Sequence, residues 1–176
     1  MAYLLDSDVF IQAHRMHYGF SICPAFWKWI DREHAASKVF SIEQVREELI
    51  GSGDQLSEWV HCRKPMFLDT EDAKAFESFK ILSGWVEREY APAAQEQFFA
   101  CVDFYLVGFA HAHGHIVVTH EKYADGFAVK IPKACKAMGV PCINTFEMLN
   151  REKAKFVLGP QPRKSIKKDP TKDLGS

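Results

Sequence analysis

The sequence lacks a surplus of charge of either sign: 22 Lys and Arg stand against 23 Asp and Glu, a formal charge of −1 over 176 residues. Domains that bind phosphates usually carry a basic excess or a concentrated basic face. Global charge therefore makes no case for nucleic acid, and such a function would have to rest on local chemistry. A long apolar run is also missing, since no stretch approaches the ~20 residues needed to span a bilayer. The opening Met1-Ala2-Tyr3-Leu4-Leu5-Asp6 has no basic n-region and reaches a carboxylate at position 6, so no signal peptide is expected to begin here. Cysteines are few and scattered: Cys23, Cys62, Cys101, Cys135 and Cys142 are odd in number and never form a C-x-x-C pair. That usage suits a reducing cytoplasm.

What is present is apolar material in quantity, 47% hydrophobic and 13% aromatic with fourteen Phe and four Trp, enough for a packed core. The length fits one domain. Residues 1–158 form that domain in this reading. Residues 159–176 hold five basic and two acidic side chains among Pro and Gly, and read as a basic, mobile tail.

Along the chain, Tyr3 to Leu5 looks like a buried first strand emptying into a polar loop at Asp6-Ser7-Asp8. Pro24 should open a helix with Phe26, Trp27, Trp29 and Ile30 inward, fading near Ser37. Val39-Phe40 suggests a short strand, and Ser41 to Gln44 a capping box starting a helix with Val45 and Leu49 buried. That helix should stop at Gly51-Ser52-Gly53. Asp54 can cap a short helix through Trp59. Thr70 or Asp72 can cap a long one carrying Phe76, Phe79, Leu82, Val86 and Tyr90. After Pro92, a single helix is predicted from about Ala93 to His113, ending at Gly114. Ile116 to Val118 is the clearest strand, followed by a helix from Pro132 to Met138 and a strand from Val140 to Ile143. Together they read as a parallel βαβ unit. Thr145 can cap a last helix to about Ala154. The fold class expected is α/β with a mainly parallel central sheet and helices on its faces.

In open parallel sheets, ligands collect at the carboxyl ends of the strands. Asp6 sits at one such end and Thr119-His120-Glu121 follows another. Acidic groups gathered there would repel unless a cation lay between them, and oxygen donors select hard cations such as Mg2+ or Mn2+. Asp103 lies in the apolar stretch Phe98 to Leu106, where an unpaired charge is costly to bury. Glu48, beside Leu49 and three residues after Val45, flanks a buried stripe; Glu47 points a quarter-turn away. Asp6 and Asp103 are the strongest ligand candidates on these grounds. Glu48 is a ligand or water-orienting group, and Glu121 an outer or second-metal support. Ser7 and Thr119 could hydrogen-bond a ligand, water or phosphate at the same rim.

These residues resemble the PIN-like nuclease family. The resemblance is carried by Leu4-Leu5-Asp6-Ser7-Asp8-Val9-Phe10-Ile11, Val45-Arg46-Glu47-Glu48-Leu49, Val102 to Ala110 and Ile116-Val117-Val118-Thr119-His120-Glu121, in family order across roughly residues 3 to 145. Tyr18-Gly19-Phe20, Cys23-Pro24, Lys130-Ile131-Pro132 and Pro141-Cys142-Ile143 make it most similar to an uncharacterised bacterial branch related to VapC-type toxin ribonucleases. The resemblance implies a three-layer α/β fold and one or two divalent ions gathered by Asp6, Glu48, Asp103 and Glu121. It also implies phosphodiester hydrolysis, with RNA favoured over DNA, a neutralising antitoxin partner and a homodimer. Two positions depart from the family: Asp8 stands where Asn is usual, and Glu121 where Asp is usual.

Other chemistries compete. Leu4-Leu5-Asp6-Ser7-Asp8-Val9 also fits the Asp-x-Asp motif of haloacid-dehalogenase-like phosphatases, with Thr119 and Lys130 or Lys133 as phosphate binders. That chemistry needs a later acidic pair, and Val140 to Leu149 offers only Glu147. His111, His113 and His115 suggest zinc, but they straddle a helix end and a strand start, and histidines in a last helical turn answer the helix dipole. Arg163-Lys164 and Lys167-Lys168 could assist phosphate binding or simply be solvated. A PIN-like binding module without catalysis is the remaining class.

Overall fold

The computed structural model describes residues 1–157; the basic tail proposed for 159–176 lies outside the described residues. Five short strands form one parallel sheet: β1 (Tyr3–Leu5), β2 (Val39–Ile42), β3 (Phe67–Leu68), β4 (Ile116–Val118) and β5 (Cys142–Ile143), in the order β3-β2-β1-β4-β5. The register sets Tyr3 beside both Val39 and Ile116, and Leu5 beside Val118. Every residue of β1 and β4 is buried, as expected of parallel strands covered on both faces. The expected βαβ unit is present, with Val117 paired to Cys142 and Val118 to Ile143.

The strand order runs outward from β1 to β3, then returns to β4 and β5. With right-handed crossovers, such a reversal distributes the connecting helices over opposite faces of the sheet, which gives the three-layer α/β architecture.

Several elements differ from the sequence-based expectation, each for a local physical reason. The polar loop expected after β1 is instead α1 (Ser7–Gln12), because the Asp6 carboxylate accepts the Ser7 N–H at 2.7 Å and caps the helix. Val9, Phe10 and Ala13 then fall on its buried side. A π-helical turn, Ala13–His17, extends it, and α2 (Pro24–Ala35) follows with proline at its start.

The capping box expected at Ser41 is absent. Ser41 lies in β2 and donates to the Leu5 carbonyl at 2.6 Å, and α3 (Glu43–Ile50) starts from Ile42 without a side-chain cap. Asp54 caps α4 (Gln55–His61), and β3 is a strand that the sequence reading left unassigned. Asp72 caps α5 (Ala73–Glu89), leaving Thr70 to accept from the Gln44 amide. Of its expected inward residues, Phe76 is exposed.

The predicted single helix after Pro92 is two, α6 (Pro92–Phe99) and α7 (Val102–His113), with Cys101 extended between them. The break lets Phe98 and Phe99 both pack against Phe104, at ring separations of 5.9 and 5.4 Å. It also moves Asp103 from mid-helix into the first turn of α7. Helix α8 spans Ile131–Met138, and Asn144 with Glu147, not Thr145, forms the capping box of α9 (Thr145–Arg151).

Helices α5 and α7 approach closely at Gly108, where an added Cβ would lie 2.3 Å from the Phe79 ring. Ser78 ties the same turn by donating to the Gly108 carbonyl at 2.7 Å. Phe79 is held among Phe76, Phe104 and Tyr105 and has little room to yield. Gly108→Ala is therefore expected to lower unfolding stability by about 2 kcal/mol, measured by urea denaturation. A loss below about 0.5 kcal/mol would mean that the helix pair repacks freely.

Candidate active site at the carboxyl ends of β1 and β4

The strand order reverses between β1 and β4, so the crevice beyond their carboxyl ends is the switch point where open α/β sheets place ligands. Asp6 leaves β1 there, 4% exposed. Its Oδ1 accepts the Ser7 N–H, and its Oδ2 accepts the Thr119 hydroxyl at 2.8 Å from the end of β4. Ser7 is itself buried, with its hydroxyl 3.5 Å from Asp6 Oδ1. Thr119 Oγ1 also lies 3.3 Å from Asp8 Oδ2 and accepts the Glu121 N–H at 3.0 Å. Asp8, in the first turn of α1, receives the His120 N–H at 2.9 Å. One threonine thus pins three acidic residues of two neighbouring strand ends.

Asp103 enters from the first turn of α7 and lines a cleft of about 240 Å³ with Gln97, Cys101, Glu121, Val129 and Lys130. Burial pushes its carboxyl up to about 6, with the Glu121 charge and, more weakly, Glu48 adding to the rise; the Cys101 side chain and Lys130 act in the opposite direction. Asp6 is raised well above the usual carboxylate range by burial first, then by the charges of Asp8 and Asp103, against the hydrogen bonds from Thr119 and Ser7. Burial also raises Asp8, partly offset by the His120 N–H. Asp6, Asp8 and Asp103 therefore share one electrostatic neighbourhood, in which burial and like charge outweigh the relief from Lys130 and the hydrogen-bond donors.

Glu48 and Glu47 are both exposed on α3, but it is Glu48 whose charge bears on Asp103. Glu121 has both carboxylate oxygens engaged: Lys130 Nζ lies 2.6 Å from Oε1, and the Ile131 N–H donates to Oε2 at 2.9 Å.

The donor set suits a hard cation, being carboxylate oxygens whose protonation is favoured by burial and, for Asp6 and Asp103, by neighbouring like charge. As the side chains stand, however, no group of three or more His, Cys, Asp or Glu among the described residues is gathered closely enough to hold an ion. The fit is one of chemistry and charge, without a preformed ligand cage.

The other sequence candidates disperse. His111 Nδ1 meets Ser78 Oγ at 2.8 Å, His113 Nε2 meets Asp72 at 2.8 Å, and His115 Nδ1 accepts the Ala2 N–H at 3.3 Å. Three histidines with three separate partners make no zinc site. Lys133 pairs with Asp125 at 3.0 Å and lies over the Tyr90 ring.

Sequence reasoning used Lys130 in the family resemblance and in the competing phosphatase scheme, and missed its pairing with Glu121. A signal existed: a lysine at the start of a helix opposes the helix dipole unless an anion is near, and Ile131-Pro132 marks that start. The Cys101 and His120 contacts had no comparable signal. They depend on the break between α6 and α7 and on backbone amides.

The family model described as a domain of unknown function (DUF4411) matches residues 3–156. No curated protein matches the chain. Among solved structures, "Crystal structure of VapBC2 from Rickettsia felis bound to a DNA fragment from their promoter" contains a similar chain. The two share 14% identity at a TM-score of 0.51, covering 82% of this chain and 98% of that one. With the sheet order above, this likeness supports a PIN-like fold.

Proposed function

This chain belongs to the family described as a domain of unknown function (DUF4411), and from that premise and its PIN-like fold we propose that it is a divalent-metal-dependent nuclease. The observation that carries the reading is the pair of carboxyls Asp6 and Asp103, distant in sequence yet close enough for the charge of one to act on the other, and both held above the usual carboxylate range. Two such carboxyls at a ligand crevice are a poor way to stabilise a fold and a suitable way to hold a cation.

Asp6 and Asp103 would hold Mg2+ or Mn2+, with Glu48 at the exposed rim as a further ligand or as the group that orients a water. A bound ion of this kind lowers the pKa of water and neutralises charge growing on a phosphodiester. The chain's own contribution is orientation. Ser7 and Thr119 fix both oxygens of Asp6, the His120 amide fixes Asp8, and Glu121 holds Lys130 against the cleft. No protein nucleophile is required.

RNA is the substrate we favour over DNA. A neutralising antitoxin, a homodimer and a cytoplasmic setting complete the proposal. The similar fold in a VapBC2 assembly bound to promoter DNA is what suggests a protein partner and a link to nucleic acid. Among the described residues, no helix is long and apolar enough to cross a membrane.

The test is cleavage of labelled single-stranded RNA and DNA with Mg2+ or Mn2+. Asp6→Asn is expected to reduce cleavage by about 10²-fold or more, while a wild-type rate in that variant removes Asp6 from the site. A phosphatase reading draws on the Thr119 link between Asp6 and Asp8. It predicts turnover of p-nitrophenyl phosphate that needs Asp8 and survives Asp103→Asn. A binding module without catalysis would cleave neither substrate and would gain no thermal stability from Mn2+.

A further inference from the structure

Lysine at a helix start is electrostatically misplaced, since that end of the helix already carries partial positive charge. Lys130 occupies such a position at α8, yet its ammonium group is paired with a carboxylate. Its Nζ lies 2.6 Å from Glu121 Oε1, while the other oxygen of the same carboxylate takes the first amide of α8, Ile131 N–H, at 2.9 Å. One glutamate thus anchors the helix end and aims the lysine. The longer side chain at position 121 is used up in this task.

The pair is not sealed off. The Lys130 side chain is 41% exposed and shares the 240 Å³ cleft with Asp103 and Gln97. Its charge is felt at Asp103, where it opposes the effect of burial. The acidic crevice therefore has two sides of different character. On the Asp6 side, carboxylates crowd one another, relieved by hydrogen-bond donors and by the His120 ring. On the Glu121 side, a fixed ammonium group already supplies positive charge.

We propose that Lys130 is a resident second cation of the acidic centre: it takes the place of a second divalent ion, so that the centre binds one ion, and it offers its ammonium to a phosphate oxygen in the cleft. Glu121 is then a positioning residue acting through Lys130. This assignment rests on the nuclease reading above, and its consequences are separable from it.

Mn2+ titration by calorimetry, with electron paramagnetic resonance counting the bound ions, tests the first part. The wild type is expected to bind one Mn2+ per chain. Lys130→Met should release Glu121 Oε1 as a donor, admit a second ion, and tighten the first by roughly tenfold, the scale of losing one like charge a few ångströms away. Lys130→Arg keeps the charge and should stay at one ion. Two ions in the wild type, or Lys130→Met binding Mn2+ as the wild type does, overturns the assignment. Circular dichroism of each variant checks that α8 remains folded, and Lys130→Arg supplies the comparison if Lys130→Met does not fold.

The second part is read in EDTA, from the salt dependence of binding to a fluorescent single-stranded RNA. Loss of one phosphate contact lowers the log–log slope by about 0.7, expected for Lys130→Met and not for Lys130→Arg. An unchanged slope leaves Lys130 an ordinary surface ion pair and overturns the phosphate contact. Absence of any Mn2+ binding by the wild type would instead remove the metal reading itself, and this inference with it.

Discussion

Asp103→Asn is expected to make the metal-free protein more stable while it removes the proposed nuclease activity. Holding the Asp103 carboxyl up at about 6 means that its ionised form costs the fold about 3 kcal/mol near pH 8. Asparagine has nearly the same shape, carries no charge and can still meet the Cys101 side chain. In a domain of this size, the relief corresponds to a rise in the thermal midpoint of roughly 5–10 °C. The same change should lower metal-dependent cleavage by about 10²–10³-fold and cut the stabilisation that Mn2+ confers. Differential scanning calorimetry in EDTA and in Mn2+, beside the cleavage assay, measures all three. A lower midpoint in EDTA with cleavage intact would make Asp103 a structural residue.

The second large effect is a change in how stability depends on pH. Asp6, Asp8 and Asp103 all have carboxyls raised by burial, so the folded state binds protons that the unfolded chain has already released. Their contribution is fully present below the unfolded value near 4 and is lost as pH rises through the folded value, about 6 for Asp103. Metal-free stability should therefore fall between pH 4 and pH 6 by about 2 kcal/mol from Asp103 alone. His115 and His120, lowered by burial, oppose this fall as pH rises toward their unfolded value near 6.5, because both favour folding once neutral. Saturating Mn2+ should reverse the slope, since an ion binds the deprotonated carboxylates and adds about 4 kcal/mol at a thousandfold excess over Kd. Urea midpoints across pH 4 to 8, with and without Mn2+, decide the matter. A flat metal-free profile would show that these carboxyls are not crowded.

Much of the fold was legible where apolar periodicity is strong. The buried runs Tyr3–Leu5 and Ile116–Val118, the Pro24 helix, the long helix capped at Asp72 and the parallel βαβ unit emerge where the patterns place them. Illegible elements have weak or contradictory local signals. Phe67–Leu68 is too short to show alternation. The break at Cys101 has no proline or glycine to announce it and follows from where three phenylalanines pack. Ser41 looks like a cap in sequence, but a neighbouring strand's carbonyl claims its hydroxyl.

The candidate site divides along the same line. Asp6 and Asp103 stand out because apolar neighbours make a carboxylate there expensive, and their surroundings in the fold agree with that reading. Glu121 was legible as an acid following a strand, but its use was not, because the use depends on where the start of α8 folds back. Asp8, an open question in the sequence, is held by the amide of His120, 112 residues away, a contact no local pattern encodes.

The pairing of β1 with β4 also dictates when this centre can exist during synthesis. Asp6 is made 113 residues before the hydroxyl that orients it, which follows a strand that α5, α6 and α7 must precede. Long-range parallel pairings close late, after the intervening chain has been ordered. A nascent or prematurely terminated product shorter than Thr119 therefore carries Asp6 and Glu48 without an assembled centre. If the chain cuts RNA, the messenger still being translated is spared by the order of its own strands.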